Sequence, residues 1–272
     1  MIIVLVLAVV QGIAEFLPIS SSGHLVLLGS MLENMTSLGS AATKVKSEEP
    51  TLEIILHAGT LGSILVVYWR RILDLLTSDR RVIMLLVFGT IPAAAVGLTI
   101  KKMFPSLFHN TYLAGAMLIL TGVMLIVLGK LKPREGSYQK LSVVAAILVG
   151  CFQAVAILPG ISRSGSTILG GRLLGLKNED SLTFSFLLAI PAILGATLLS
   201  LKDLYENYSN GIQQAHQAPE LVAGAVVSFI IGVVALKWLI RWSQNDRLHY
   251  FAWWCIPFGI LAICLSFGGY IA

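Results

Sequence analysis

The sequence predicts an all-α polytopic membrane protein, an inverted-topology repeat with six full transmembrane helices and two re-entrant helical hairpins. Three observations predict it. The 272 residues are 56% hydrophobic and only 12% charged, with a mean hydropathy of +0.85, where a soluble domain carries about 25% charged residues. Six long apolar stretches qualify as spans, and two more are long enough but interrupted by clusters of Pro, Gly and Ser. The two interrupted stretches also resemble each other. So little charge cannot cover a water-soluble globule, which argues against a soluble enzyme and a disordered chain. The net charge of +5 does not point to nucleic acid, because the basic residues fall in connections, where membrane topology places them.

In chain order, Ile2–Leu32 comes first and is broken by Pro18 and the run Ser20-Ser21-Ser22-Gly23. It is expected to belong to the mature fold, since no basic residue precedes it and no small-residue cleavage site follows Val10. A crossing helix needs about 20 apolar residues. Leu52–Trp69, Val82–Ile100, Thr111–Gly129, Ser181–Leu201, Leu221–Trp238 and Phe251–Ile271 each supply them. Between the third and fourth lies Leu141–Leu176, broken by Pro159-Gly160 and Ser162-Arg163-Ser164-Gly165. Such breaks free backbone groups that hydrocarbon cannot satisfy, so they must pack inside protein or line a wet cavity. Each broken stretch therefore reads as a hairpin that returns to its own side. Lys130–Lys140 and Leu201–Gln217 read as polar loops. Cys151, Cys255 and Cys264 lack metal-ligand spacing and read as small buried hydrophobes.

This layout puts thirteen of the nineteen basic residues on one side and five, among them Lys44 and Lys46, on the other. The richer side is expected to be cytoplasmic, with both termini outside. Gln11–Gly29 laid on Gln153–Gly171 without a gap gives eight identities in 19, including Gln11/Gln153, Ser20/Ser162, Ser22/Ser164 and Gly23/Gly165. Gly89 and Gly97 pair with Gly224 and Gly232 further on. The chain thus reads as one membrane domain of two halves, about 1–130 and 141–272. Inverted halves bring their broken tips together near the midplane, the expected site.

Gln11 and Glu15 share a helical face, and a carboxylate at membrane depth is a functional hypothesis by default. Arg163 offers a permanently charged fork that matches phosphate oxygens. Ser162, Ser164 and Thr167 surround it with hydroxyls, and a helix beginning there would turn free N–H groups to an anion. His24 follows Ser20 and Ser21 by one turn and can serve as base or nucleophile. His57 reads as structural and Glu53 as interfacial. Together these groups suit a phosphorylated substrate bound through a divalent cation, with Arg163 holding the oxygens as charge develops. No glycine-rich nucleotide loop is present.

Gln11-Gly12-Ile13-Ala14-Glu15 and the following Ser21-Ser22-Gly23-His24, with Pro159-Gly160-Ile161-Ser162-Arg163-Ser164-Gly165-Ser166-Thr167, resemble the two signature motifs of bacterial undecaprenyl-pyrophosphate phosphatases of the bacitracin-resistance type. The resemblance extends to Leu61–Arg71 and Ser185–Gly195 and so spans nearly the whole chain. It implies hydrolysis of a C55 isoprenyl pyrophosphate to the monophosphate, recycling the lipid carrier of cell-wall synthesis. It also implies a divalent cation, Mg²⁺ or Ca²⁺, and a site in the bacterial cytoplasmic membrane opening outward. By motif position, Glu15, Ser21, His24 and Arg163 are catalytic. Ser20, Ser22, Gly160, Ser162, Ser164 and Thr167 bind substrate, and Gln11 and Glu15 hold the metal. The attacking group is Ser21 or a water activated by His24, itself oriented by Glu15, or His24 directly. The expected partners are the prenyl lipid and the bilayer, with a homodimer left open. A lipid-phosphate phosphatase of the other membrane class would need a His-x-x-x-Asp motif after Arg163, which is absent. A secondary transporter for an anionic or prenyl-phosphate substrate is the non-enzyme alternative, because it shares the broken-helix design.

Overall fold

A backbone in hydrocarbon must satisfy its own N–H and C=O groups, so apolar runs of this length become helices. The computed structural model describes residues 1–37, 50–209 and 218–268, and among them there is no strand, only one isolated bridge between Gly136 and Leu176. Eleven α-helices follow in order: α1 (Ile2–Ala14), α2 (Ser21–Ser37), α3 (Pro50–Val67), α4 (Trp69–Thr77), α5 (Arg80–Met103), α6 (Thr111–Lys130), α7 (Val143–Val155), α8 (Arg163–Leu173), α9 (Asn178–Ser209), α10 (Ala218–Ser243) and α11 (Ala252–Phe267). Side-chain caps fix several starts. Asn110 accepts from Leu113 N at 2.8 Å to open α6, and Ser142 accepts from Ala145 N at 3.1 Å to open α7, satisfying otherwise orphaned donors.

Among the described residues five helical segments are long and apolar enough to cross a membrane: the spans within α5, α6, α9, α10 and the last segment, Arg247–Phe267. The protein is a multi-pass, all-helical membrane protein. The stretch expected as another full span, α3, contributes the shorter apolar run Ile54–Val67. Both interrupted stretches are broken as expected, into α1 and α2 and into α7 and α8. Two expectations need correction. The connection left between the expected spans Leu52–Trp69 and Val82–Ile100 is not simply a loop, since α4 forms there, and α9 continues to Ser209 through residues read as loop.

The main helix pairs are α6 with α11, α3 with α10, α5 with α7, and α1 with α10. Small residues let these backbones approach. A Cβ on Gly259 would lie 2.6 Å from Gly115 O across the α6–α11 contact, and one on Gly150 would lie 2.0 Å from Gly89 O across α5–α7. The outward faces carry exposed Ile91, Leu120, Val226 and Trp253, as contact with lipid allows. Cys255 is buried as expected, but Cys151 and Cys264 lie exposed on these faces. Polar side chains concentrate inside instead: Gln11, Glu15, Ser20, His24, Gln153, Ser162 and Ser164 are all buried.

Candidate active site

Two serine turns build the site. The first leaves α1 at Ala14, whose carbonyl the Pro18 ring would crowd if the helix went on. Ser20 takes a left-handed φ of 68°, and its Oγ accepts from Gly23 N at 3.2 Å, capping α2. The second leaves α7 at Val155 and passes Gly160, whose φ of +94° suits only glycine. Ser162 Oγ accepts from Gly165 N at 3.1 Å and caps α8. In both turns the capping hydroxyl meets the serine two residues on, Ser20 with Ser22 at 3.3 Å and Ser162 with Ser164 at 3.2 Å. Thr121 of α6 fastens the second turn, donating to Gly160 O at 2.8 Å and accepting from Ser162 N at 3.0 Å. The turns pack on each other: a Cβ on Gly23 would sit 2.9 Å from Gly160 Cα, and one on Gly165 would sit 3.3 Å from Pro18 Cβ.

Across this contact Arg163 Nη2 donates to Glu15 Oε1 at 2.7 Å. Glu15 Oε2 accepts from Ser21 Oγ at 2.8 Å and from Gln11 Nε2 at 3.1 Å. A buried ion pair holds only when its remaining lone pairs are also satisfied, and this carboxylate accepts from three side chains. Two buried polar atoms beside it have no hydrogen-bond partner, Arg163 Nη1 and Gln11 Oε1. One is a donor for an anion, the other an acceptor for a cation. The Arg163 guanidinium also lies over the Phe186 ring, 6.0 Å from its centroid.

His24 takes partners other than Glu15. Its Nδ1 lies 2.7 Å from Ser20 O, so that nitrogen carries the proton. Its Nε2 lies 2.9 Å from Trp254 Nε1, and an indole N–H only donates, so Nε2 carries the lone pair. The ring stacks on Phe258 at 4.7 Å and an interplanar angle of 5°. The expectation that Glu15 orients His24 is therefore not what the geometry shows: Ser20 O and Trp254 do so. His57, read as structural, reaches the site with Nε2 3.8 Å from Glu15 Oε2. Thr167 sits behind Arg163, donating to Arg163 O at 2.9 Å and bonded to Ser185 of α9. Glu53's side chain lies outside the described residues, as do Lys44 and Lys46.

Trp254, Phe258, Thr121 and Phe186 were not singled out from sequence. Each is an ordinary apolar-span residue there, and only Trp253-Trp254, an aromatic pair at the start of a span, gives any signal. Among the described residues no group of three or more His, Cys, Asp or Glu converges as a ready metal centre. The donors present are hard oxygens, Gln11 Oε1 and the Glu15 carboxylate. They fit Mg²⁺ or Ca²⁺, since Mg²⁺ in particular is usually bound through one or two carboxylates plus water and substrate phosphates.

A family model described as "Bacitracin resistance protein BacA" matches residues 4–261. The chain belongs to that family. Curated relatives cover it almost end to end. A Rhodopirellula baltica protein named "Undecaprenyl-diphosphatase" is 65% identical over 97% of each chain. Proteins of the same name from Alkaliphilus metalliredigens and Halothermothrix orenii are 35% identical over 96% of this chain and 97% of theirs, and 34% identical over 97% of each. In this BacA family member the matched segment contains both serine turns and every residue that touches Glu15.

Proposed function

We infer that the chain is an undecaprenyl-diphosphatase, hydrolysing undecaprenyl diphosphate to undecaprenyl phosphate and phosphate. Family membership and the 65% identical relative support the activity. The observation that carries the site is the Glu15–Arg163 pair, with Arg163 Nη1 still free for a phosphate oxygen. Arg163 Nη1 and the first N–H groups of α8 take oxygens of the diphosphate, ringed by Ser20, Ser22, Ser162 and Ser164. Ser21 Oγ, its proton directed to Glu15 Oε2, attacks the terminal phosphorus as the bridging P–O bond breaks and undecaprenyl phosphate leaves. Water then cleaves the phosphoserine, releasing phosphate and restoring the Ser21 hydroxyl. His24 serves as base for that water once the Trp254 N–H withdraws from Nε2. Gln11 Oε1 and Glu15 would hold a divalent cation, which neutralises charge on the diphosphate when bound.

The layout we propose is six spans and two re-entrant hairpins in inverted halves. The reciprocal packing supports it, Gly23 on Gly160 and Gly165 on Pro18, with both pairs related by the same shift that aligns the two sequences. So does the pairing of α1 with α10 alongside that of α7 with α5. The basic-residue count supports an orientation with both termini outside, and the family resemblance implies the cytoplasmic membrane and a site opening outward.

The test is phosphate release from undecaprenyl diphosphate by purified protein, with Mg²⁺ or Ca²⁺ and then EDTA, beside Arg163→Ala. Metal-dependent release lost in the variant is expected. Release that survives Arg163→Ala would move the chemistry elsewhere. Label trapped from a radioactive terminal phosphate should be acid-stable and base-labile, as phosphoserine is; acid-labile label would make His24 the nucleophile, and none would make it water.

A further inference from the structure

At the far end of α8 from Arg163, about 13 Å away at 1.5 Å per residue, lies a cavity of about 410 Å³ lined by Lys130, Lys132, Arg134, Arg172 and Leu173. Four basic residues line it and no carboxylate does. Among the described residues none of the four is in an ion pair. Arg172 is 4% exposed, yet its guanidinium meets only neutral carbonyls at the long end of hydrogen bonding: Lys132 O at 3.3 Å, and Leu131 O and Leu176 O at 3.5 Å. The walls are fixed by backbone. Gly136 N donates to Gly175 O at 3.1 Å, and Lys177 N donates to Gly136 O at 2.9 Å. Helix C-termini favour cations modestly, and topology favours basic connections. Neither requires four charges around one cavity, with one of them buried. Leu173, 48% exposed, adds an apolar edge beside the charge, at the end of a membrane-depth helix. Basic pockets between helices at the cytoplasmic surface take phosphate head groups.

We propose that this cavity binds a phosphate oxyanion, from an anionic lipid head group or from free phosphate. It is a binding site separate from the Glu15–Arg163 centre and does not depend on that centre's chemistry. The test is native mass spectrometry of the full chain in detergent, titrated with phosphatidylglycerol, phosphatidylcholine or inorganic phosphate. The variants are K130Q/K132Q/R134Q, all exposed side chains, and R70Q/R71Q as a control for surface charge elsewhere. Wild type should bind phosphatidylglycerol at least about tenfold tighter than phosphatidylcholine, and the triple variant should lose that preference while the control keeps it. Displacement of the lipid by inorganic phosphate assigns free phosphate as a ligand; retention of the lipid assigns the head group. Equal anionic binding by wild type and triple variant would overturn the proposal. So would an equal loss in R70Q/R71Q.

Discussion

The two serine turns share a cap and differ in what they carry. Both close with a serine hydroxyl on the glycine N–H three residues on, and in both a second serine leans on that hydroxyl. The first turn is strained at Ser20, with φ 68°, and points the Ser20 carbonyl at His24. The second is relaxed at Ser162, with φ −73° and ψ 118°, and Thr121 ties it to α6. Gln11 has Glu15 one turn on and bonds to it. Gln153 has Ile157 there, and both of its side-chain polar atoms are buried without a partner. One turn thus presents the carboxylate and the histidine, the other the arginine, and the proposed site lies where they meet. Strain at Ser20 is the kind of local cost found at functional positions.

The largest effect should come from unloading the second turn. Arg163→Ala should lower phosphate release about 10³-fold, read in a steady-state assay at saturating substrate. An equal loss from Ser164→Ala would show that the hydroxyl ring, not the charge, distinguishes the turns. Next is the joint between them. Gly160→Ala forces a Cβ to 2.2 Å from Ala114 O at positive φ, and should cost about 1–3 kcal/mol, seen as a lower Tm in detergent. The glutamines should then part company. Gln11→Leu removes a hydrogen bond to a charged partner, worth about 1.5–3 kcal/mol, and should cut activity roughly tenfold or more. Gln153→Leu removes only unsatisfied atoms and should leave activity intact with Tm unchanged or raised. The smallest contrast is at the caps. Ser162→Gly should cost a few tenths of a kcal/mol, whereas Ser20→Gly relieves a left-handed serine and should be neutral or stabilising by thermal melt.

Much of the fold is legible from sequence because lipid demands long apolar helices and the clusters of Pro, Gly and Ser around Pro18 and Pro159-Gly160 mark their breaks, whereas the lone Pro92, Pro191 and Pro257 stay inside α5, α9 and α11. The faces of those helices are not legible. Lipid is as apolar as a protein interior, so the hydropathy of Cys151 and Cys264 could not tell that they lie on the outside. α4 is not legible because its nine residues, with Arg70, Arg71 and Asp74 among them, resemble a charged connection. At the site, Glu15 and Arg163 stand out because charge at membrane depth is costly. Trp254 and His57 do not, since their importance lies in what they face across the fold. His24 was identified, but its orientation by Ser20 O and Trp254 depends on contacts that no local pattern encodes.

The most direct test of the account is a double-mutant cycle between the halves, measuring phosphate release for Glu15→Asp, Arg163→Lys and both together. If the ion pair is one functional unit, the double variant should fall no more than a few-fold below the worse single variant. Losses that simply multiply would mean that the two residues act independently, contradicting a site made where the two turns meet.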